Sequence, residues 1–208
     1  MKLSTKGDLQ CKHCGFTKSK LDLYCYFACD GYWSDLRHIA PNQAVPALVQ
    51  HCPKCNRYYY ISAEGVEMFS TGDYNWIEPV DYDAILPSVS EYDKFDWDII
   101  VEYNQRLRLM WAYNDKFYRE SSSSEPTEYD KTIAKNNLLR LAEISKSNPY
   151  IVIECLREAQ MYEESINIAT EISSEGVTRD LINRVVSFAK QNDSKPFPIE
   201  LEGLFYYK

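Results

Sequence analysis

The chain has 208 residues, 45% of them hydrophobic, which is enough for one large domain or two small ones. Its net charge of −8 is spread unevenly: residues 1–62 carry +4, residues 63–130 carry −11 and residues 131–208 carry −1. An acidic chain with one mildly basic segment is a poor match for tight nucleic-acid binding, because such binding depends on neutralising phosphates.

The apolar stretches and the cysteines both bear on the compartment. No run reaches the roughly 18 apolar residues that a membrane-spanning helix needs. The first residues, Met1 to Asp8, lack the apolar centre of a signal peptide. Seven cysteines, four of them at metal-ligand spacing, fit a reducing cytoplasm better than a disulfide scaffold. We therefore expect a cytoplasmic protein with no membrane segment.

Four cysteines stand in two Cys-x-x-Cys pairs, Cys11/Cys14 and Cys52/Cys55, about 40 residues apart. Each pair can place two thiolates at the tip of a hairpin, and two such knuckles complete a tetrahedron around a metal ion. A redox Cys-x-x-Cys pair is typical of a βαβ context, which the strand-like flanks here do not provide. The spacing predicts one structural Zn²⁺ whose four protein ligands leave no coordination position for catalysis.

Residues 1–70 have the pattern of a small β module. Residues 21–27 and 58–62 are rich in strand-forming side chains. Gly15 and Asn56 each follow the second cysteine of a pair, and both residue types tolerate the left-handed backbone that a metal knuckle requires there. We therefore predict a zinc β-ribbon over residues 1–70, with the metal taking the place of a large core.

The remaining sequence predicts an acidic connection over residues 71–95, helices over 96–192 and a C-terminal tail over 193–208. Apolar residues at spacings of three and four indicate a first helix over 96–119. Asn148 and Pro149 are typical of a helix start, and Gly176 is read as the end of a helix, with Thr178 capping the last one. The apolar tail is expected to pack back on the fold. The predicted fold class is α+β.

Two stretches carry a resemblance to known families. The segment Cys-Asp-Gly-Tyr-Trp-Ser-Asp from Cys29 to Asp35, followed by Cys-Pro-Lys-Cys from Cys52 to Cys55, resembles a group of bacterial zinc-ribbon proteins of unknown function. Residues 107–115 are similar to the end of that group's central helix. The resemblance implies zinc binding and a bacterial cytosolic setting, and it implies no activity.

Residues 149–172 are similar to a tetratricopeptide-type helical hairpin. The stretch Tyr-Glu-Glu-Ser-Ile from Tyr162 matches the start of the second helix of that repeat, with Ser165 at its small-residue position. The match covers about one repeat, and a peptide groove needs roughly three. The helices over 128–192 are therefore expected to form about two tetratricopeptide-like hairpins.

Several other residues have a functional and a simpler interpretation. Cys25 and Cys29 could be alternate metal ligands, although packing explains a cysteine within a strand. His13 or His51 could replace a cysteine ligand, although exposure on a knuckle is the simpler expectation. For Cys155 we expect burial on a helix face. The aromatic residues near the knuckles also have two interpretations.

Aromatic and basic residues of the ribbon superficially suit single-stranded nucleic acid. Small ribbons use such aromatics for packing, and for Trp33 and Asp35 we expect a specific structural contact. No histidine or nucleophile accompanies the paired carboxylates, and no phosphate-binding glycine loop is present in the sequence. We therefore expect a non-enzymatic zinc protein that acts as a protein–protein adaptor. A nucleic-acid-binding zinc ribbon and a thiol or zinc redox sensor remain the alternatives.

Overall fold

The computed structural model of the protein describes these residues: 2–5, 8–18, 22–24, 31–39, 49–60, 66–69, 82–90, 99–119, 125–172 and 176–200. The chain divides into two compact units. The first comprises Met1–Ala28 and Ala40–Asp96, and the second comprises Cys29–Ile39 and Trp97–Lys208. Small antiparallel sheets and helices together give the α+β class that the sequence predicts.

The first unit contains a three-stranded sheet and two separate hairpins. The sheet has the order β4-β1-β9, with β1 (Lys2–Thr5) antiparallel to both β4 (Asp22–Tyr24) and β9 (Val66–Phe69). The hairpins are β2 (Leu9–Gln10) with β3 (Thr17–Lys18), and β7 (Val49–His51) with β8 (Tyr58–Tyr60). Strands of two or three residues bury little surface, so these hairpins need another source of stability.

A helix, α1 (Tyr82–Ser90), lies inside the stretch that the sequence predicts as an acidic connection. Its side chains of Tyr82, Ile85 and Val89 are buried, at the spacing of one helix face. Pro87 lies within the helix, where its missing N–H removes one backbone hydrogen bond. Burial of the apolar face offsets that loss, and a reading based on proline alone misses the helix.

The second unit is mainly helical. Its helices are α2 (Ile99–Asn114), continued by a π-helical turn (Asp115–Arg119), then α3 (Glu128–Ile144), α4 (Pro149–Glu158), α5 (Tyr162–Glu171) and α6 (Gly176–Lys190). A three-stranded antiparallel sheet joins them, with β10 (Pro198–Glu200) on one side of β5 (Gly31–Trp33) and β6 (His38–Ile39) on the other.

Local signals position the starts of α3 and α4. The Thr127 side chain and Asp130 form a reciprocal capping box at the start of α3. Asn148 caps α4, and Pro149 is its first residue, as the sequence predicts. The readings of Gly176 and Thr178 are wrong, because Gly176 begins α6 and does not end α5, and Thr178 lies within α6 and does not precede it. Glycine is compatible with either end of a helix, so the residue type alone does not decide between them.

The core of the second unit forms where consecutive helices pack on one another. Its most completely buried members come from three helices and include Leu141, Ile151, Ile153, Cys155 and Val185. Cys155 is therefore a packed core residue, as expected. Residues 201–208, for which docking of the tail is expected, lie outside the described residues, although β10 just before them pairs with β5.

The segment Cys29–Ile39 belongs to the helical unit, whereas the sequence analysis places it within the ribbon of residues 1–70. Polar contacts explain the difference. The Tyr150 hydroxyl donates to the Ser34 carbonyl at 2.8 Å, and the Trp111 indole donates to the Asp35 carbonyl at 2.9 Å. Ser34 also donates its N–H to the Phe197 carbonyl at 2.8 Å.

The Asp35 carboxylate is the centre of these contacts. It is fully buried and accepts hydrogen bonds from the Asn114 amide at 2.8 Å, from the Arg37 N–H at 3.1 Å and from Arg119. The Arg119 guanidinium lies over the Trp33 ring, 4.9 Å from its centroid. Burial opposes the charged guanidinium, but Asp35 and Asp115 outweigh it and raise the pKa of Arg119. Trp33 and Asp35 thus make the structural contact expected of them.

We expect Asp35→Ala to lower the free energy of unfolding of the second unit by about 3 kcal/mol, because it removes one of the two carboxylates that pair with the buried Arg119 and an acceptor of the Asn114 amide. The matched control is Asp180→Ala on the exposed side of α6, which should change stability by about 0.5 kcal/mol or less. Urea unfolding followed by far-ultraviolet circular dichroism measures both. Equal stabilities of the two variants would contradict this role of Asp35.

Candidate metal centre

The first knuckle is the turn between β2 and β3. The N–H of Cys11 donates to the Phe16 carbonyl at 2.8 Å, and the N–H of Gly15 donates to the Cys11 carbonyl at 2.9 Å. Gly15 has a φ of 70°, a left-handed conformation that glycine adopts without steric cost. The turn therefore curls around Cys11 and brings Cys14 to the same side.

The second knuckle, between β7 and β8, repeats this pattern. The N–H of Cys52 donates to the Arg57 carbonyl at 2.9 Å, and the N–H of Asn56 donates to the Cys52 carbonyl at 2.9 Å. Asn56 has a φ of 57°. The left-handed backbone predicted at Gly15 and Asn56 is confirmed, and the two turns are equivalent in their backbone hydrogen bonds.

The structure brings all four predicted cysteines together. Their sulfur atoms lie within 4.8 Å of one another, with Cys11 Sγ 3.7 Å from Cys55 Sγ and Cys14 Sγ 3.7 Å from Cys52 Sγ. Four thiolates at the usual Zn–S distance of about 2.3 Å form a tetrahedron with sulfur–sulfur edges of about 3.8 Å. A disulfide needs a far shorter separation of about 2.0 Å. The four cysteines therefore form a group that could hold a metal ion such as zinc.

The local field favours a thiolate at Cys52. Burial raises the pKa of this thiol, but hydrogen bonds from the N–H groups of Cys55 and Lys54 and with the side chains of Cys11 and Cys55 together lower it more, and the net pKa is about 6. For Cys55, burial together with the neighbouring sulfurs raises the pKa to about 12. One negative sulfur thus forms readily, and a cation at the centre is what would allow the other three to lose their protons.

Each knuckle contributes one buried and one half-buried cysteine. Cys11 and Cys52 are 1% and 0% exposed, whereas Cys14 and Cys55 are partly exposed. Leu9 and Phe16 pack against this sulfur cluster. The sequence analysis does not single out these two residues, although their position two residues before Cys11 and two after Cys14 is the signal that would have found them.

Of the other predicted ligand candidates, the structure describes the side chain of His13 alone, and His13 does not join the group. Among the described residues, the sulfur cluster contains the four cysteines and no histidine or carboxylate. His13 is exposed on its knuckle, as expected. Cys25, Cys29 and the side chain of His51 lie outside what the structure describes. The donor set is therefore four thiolates, a soft set that suits zinc.

Comparisons with protein-family models, with curated proteins and with solved structures find no match for this chain. In the part of the chain that the structure describes, no helix has both the length and the apolar character to cross a membrane. The assignment of a metal site therefore rests on the geometry of the structure itself. Two equivalent turns bring four cysteine sulfurs together.

We expect the chelator TPEN to raise amide hydrogen exchange in residues 8–18 and 49–60 by about tenfold or more, because short hairpins lose their cross-link when the metal leaves. Exchange in α3 to α6 should change by less than about twofold, since their core contains none of the four cysteines. Unchanged exchange in the two hairpins after complete metal removal would contradict a structural ion.

A pair of variants separates ligand loss from cysteine loss. Cys55→Ser should reduce the bound zinc measured by elemental analysis, whereas Cys155→Ala, in the helical core, should leave it at one ion per chain. Loss of zinc from both variants, or from neither, would count against the assigned ligand set.

Proposed function

We propose that the protein is a zinc ribbon joined to a tetratricopeptide-like helical region, and that it works as a non-enzymatic adaptor between proteins. The observation that carries the zinc assignment is the convergence of four cysteine sulfurs within 4.8 Å. The adaptor role rests on the character of that centre and on the residues exposed around it.

The chemistry of the donor set favours a structural ion over a catalytic one. Four protein thiolates complete the tetrahedral shell of Zn²⁺, so no position remains for water or substrate. The two hairpins that supply them have strands of only two or three residues. An ion that joins them supplies the stability that such short strands lack.

The helical region supports the second half of the proposal. Helices α4 and α5 are ten residues each, follow one another closely and pack together. Ser165, at the small-residue position of the resemblance, is fully buried and donates its hydroxyl hydrogen to the Ile153 carbonyl at 2.8 Å. A small residue there lets the two helices approach, as in a tetratricopeptide hairpin.

The contact surface that we propose lies on the knuckles. Both turns expose cationic side chains, with Lys12 and Lys18 on the first and Lys54 and Arg57 on the second. Exposed charges of one sign steer partners of the opposite sign. We infer a protein partner with an acidic surface. The same cations keep nucleic acid as the second candidate, because they could also contact phosphates.

We expect crosslinking in the native host to capture a protein through the knuckle surface, and the double variant Lys54→Glu/Arg57→Glu to abolish that capture. The control Lys146→Glu, exposed on the turn after α3, should leave it unchanged. Nuclease treatment separates the candidates. Capture that survives nuclease supports the adaptor, and capture that nuclease removes supports nucleic-acid binding. Identical capture by wild type and the double variant would overturn the proposed surface.

A further inference from the structure

The second unit contains a cavity of about 280 Å³ that lies far along the sequence from the cysteine pairs. It is formed by the last residues of α2 and the π-helical turn, the first half of α3 and the last residues of α4. Its size is close to the lower end of small-molecule sites. The walls combine aromatic rings of Tyr113 and Tyr118 with polar and charged side chains.

Glu158 is the most unusual residue of this cavity. Its side chain is 4% exposed, and its Oε2 accepts a hydrogen bond from the Asn114 amide at 2.9 Å. Its Oε1 is buried and accepts no hydrogen bond from the described residues, and the Arg157 Nη2 lies 3.8 Å away. A buried carboxyl oxygen without a donor is costly, which marks it as a group that a ligand could satisfy.

The charges around Glu158 are already matched without it. Arg157 makes two hydrogen bonds to Glu154, at 2.6 and 2.9 Å, and uses a further nitrogen for two backbone carbonyls. Arg119 pairs with both Asp35 and Asp115.

The third guanidinium, Arg37, lies 3.4 Å from Asp115. Three guanidinium groups therefore face three carboxylates, and Glu158 is a fourth acid whose ion-pair partner, Arg157 Nη2 at 3.8 Å, already donates a hydrogen bond to Glu154. Burial, followed by the negative charges of Glu154 and Asp35, raises the pKa of Glu158 well above the usual carboxyl value. The ammonium group of a ligand would lower that pKa and favour the charged carboxylate.

The wall of the cavity that α3 forms carries two lysine side chains, Lys131 and Lys135. Lys131 is engaged by Glu128, with Nζ 2.7 Å from the carboxylate oxygen. Lys135, one turn further along α3, is exposed and also lines the cavity. One wall therefore presents a carboxyl whose Oε1 accepts no hydrogen bond from the described residues, and another presents an ammonium group.

We propose that this cavity binds a small zwitterion of the amino-acid class, with its ammonium group at Glu158 and its carboxylate at Lys135. The ammonium donates to Glu158, and its positive charge favours the ionised form of that carboxyl. The aromatic rings of Tyr113 and Tyr118 add a favourable surface for a cation. The site is separate from the metal centre, and it does not depend on the adaptor role.

The test titrates the metal-loaded full chain with glycine, γ-aminobutyrate and 6-aminohexanoate, and with butylamine and butyrate as probes that carry one charge. Isothermal titration calorimetry and amide chemical shifts of α3 and α4 report binding. We expect at least one zwitterion to bind below about 20 mM, and about tenfold more tightly than butylamine or butyrate. The absence of binding by all three zwitterions at that concentration would overturn the proposal.

Two variants locate the contacts. Glu158→Gln keeps the shape of the side chain and removes its charge, and Lys135→Gln does the same at an exposed position where folding is not at risk. Each variant should raise the Kd for the zwitterion by about tenfold or more. The controls Glu164→Gln and Lys146→Gln, both exposed and outside the cavity, should not. Binding that survives in both cavity variants, or butylamine binding without zwitterion binding, would overturn the assignment.

Discussion

The first unit depends on the meeting of two hairpin turns at four sulfur atoms. Neither hairpin has strands longer than three residues, and such strands are marginal alone in water. The turns are pre-shaped by backbone hydrogen bonds and by the left-handed residues Gly15 and Asn56. Shape alone does not hold four sulfurs 3.7 to 4.8 Å apart, because unshielded thiolates repel one another. In this account, a divalent ion neutralises the thiolates and cross-links the two hairpins.

The second unit is stabilised by a packed core and by buried polar contacts. Its helices bury a continuous apolar core, and its polar contacts gather around the Asp35 carboxylate. The segment that carries Asp35 lies between the two cysteine pairs in the sequence, yet its contacts are with the helices. The chain therefore leaves the metal unit, enters the helical unit and returns.

Local patterns in the sequence were sufficient for the metal ligands and for most helix positions. Cysteine spacing identified Cys11, Cys14, Cys52 and Cys55, which the structure brings together, because a Cys-x-x-Cys turn is a local structure whose residues are all adjacent in sequence. The start of α4 was predictable for the same reason, since Asn148 and Pro149 act on their own helix. Glycine occurs at both ends of helices, so the residue type alone gave the wrong position for Gly176, which begins α6.

Contacts between residues distant in sequence were not predictable from such patterns. A structural contact was predicted for Asp35, but its partners Asn114 and Arg119 lie 79 and 84 residues away in the sequence. Nothing in one sequence indicates which of many arginines will reach a given carboxylate. The same holds for part of the environment of Glu158, whose pKa is raised by burial, by Glu154 on the same helix and by Asp35, which is distant in the sequence. The helix α1 was not predicted, because Pro87 lies in this acidic stretch and proline usually interrupts a helix.

Zinc K-edge X-ray absorption of the purified protein tests the central claim most directly, because it reports the elements and distances around the ion. The account predicts a shell of four sulfur atoms at about 2.3 Å, with no nitrogen or oxygen neighbour. Absence of zinc from the purified protein, or a shell in which nitrogen or oxygen replaces one or more sulfurs, would contradict it.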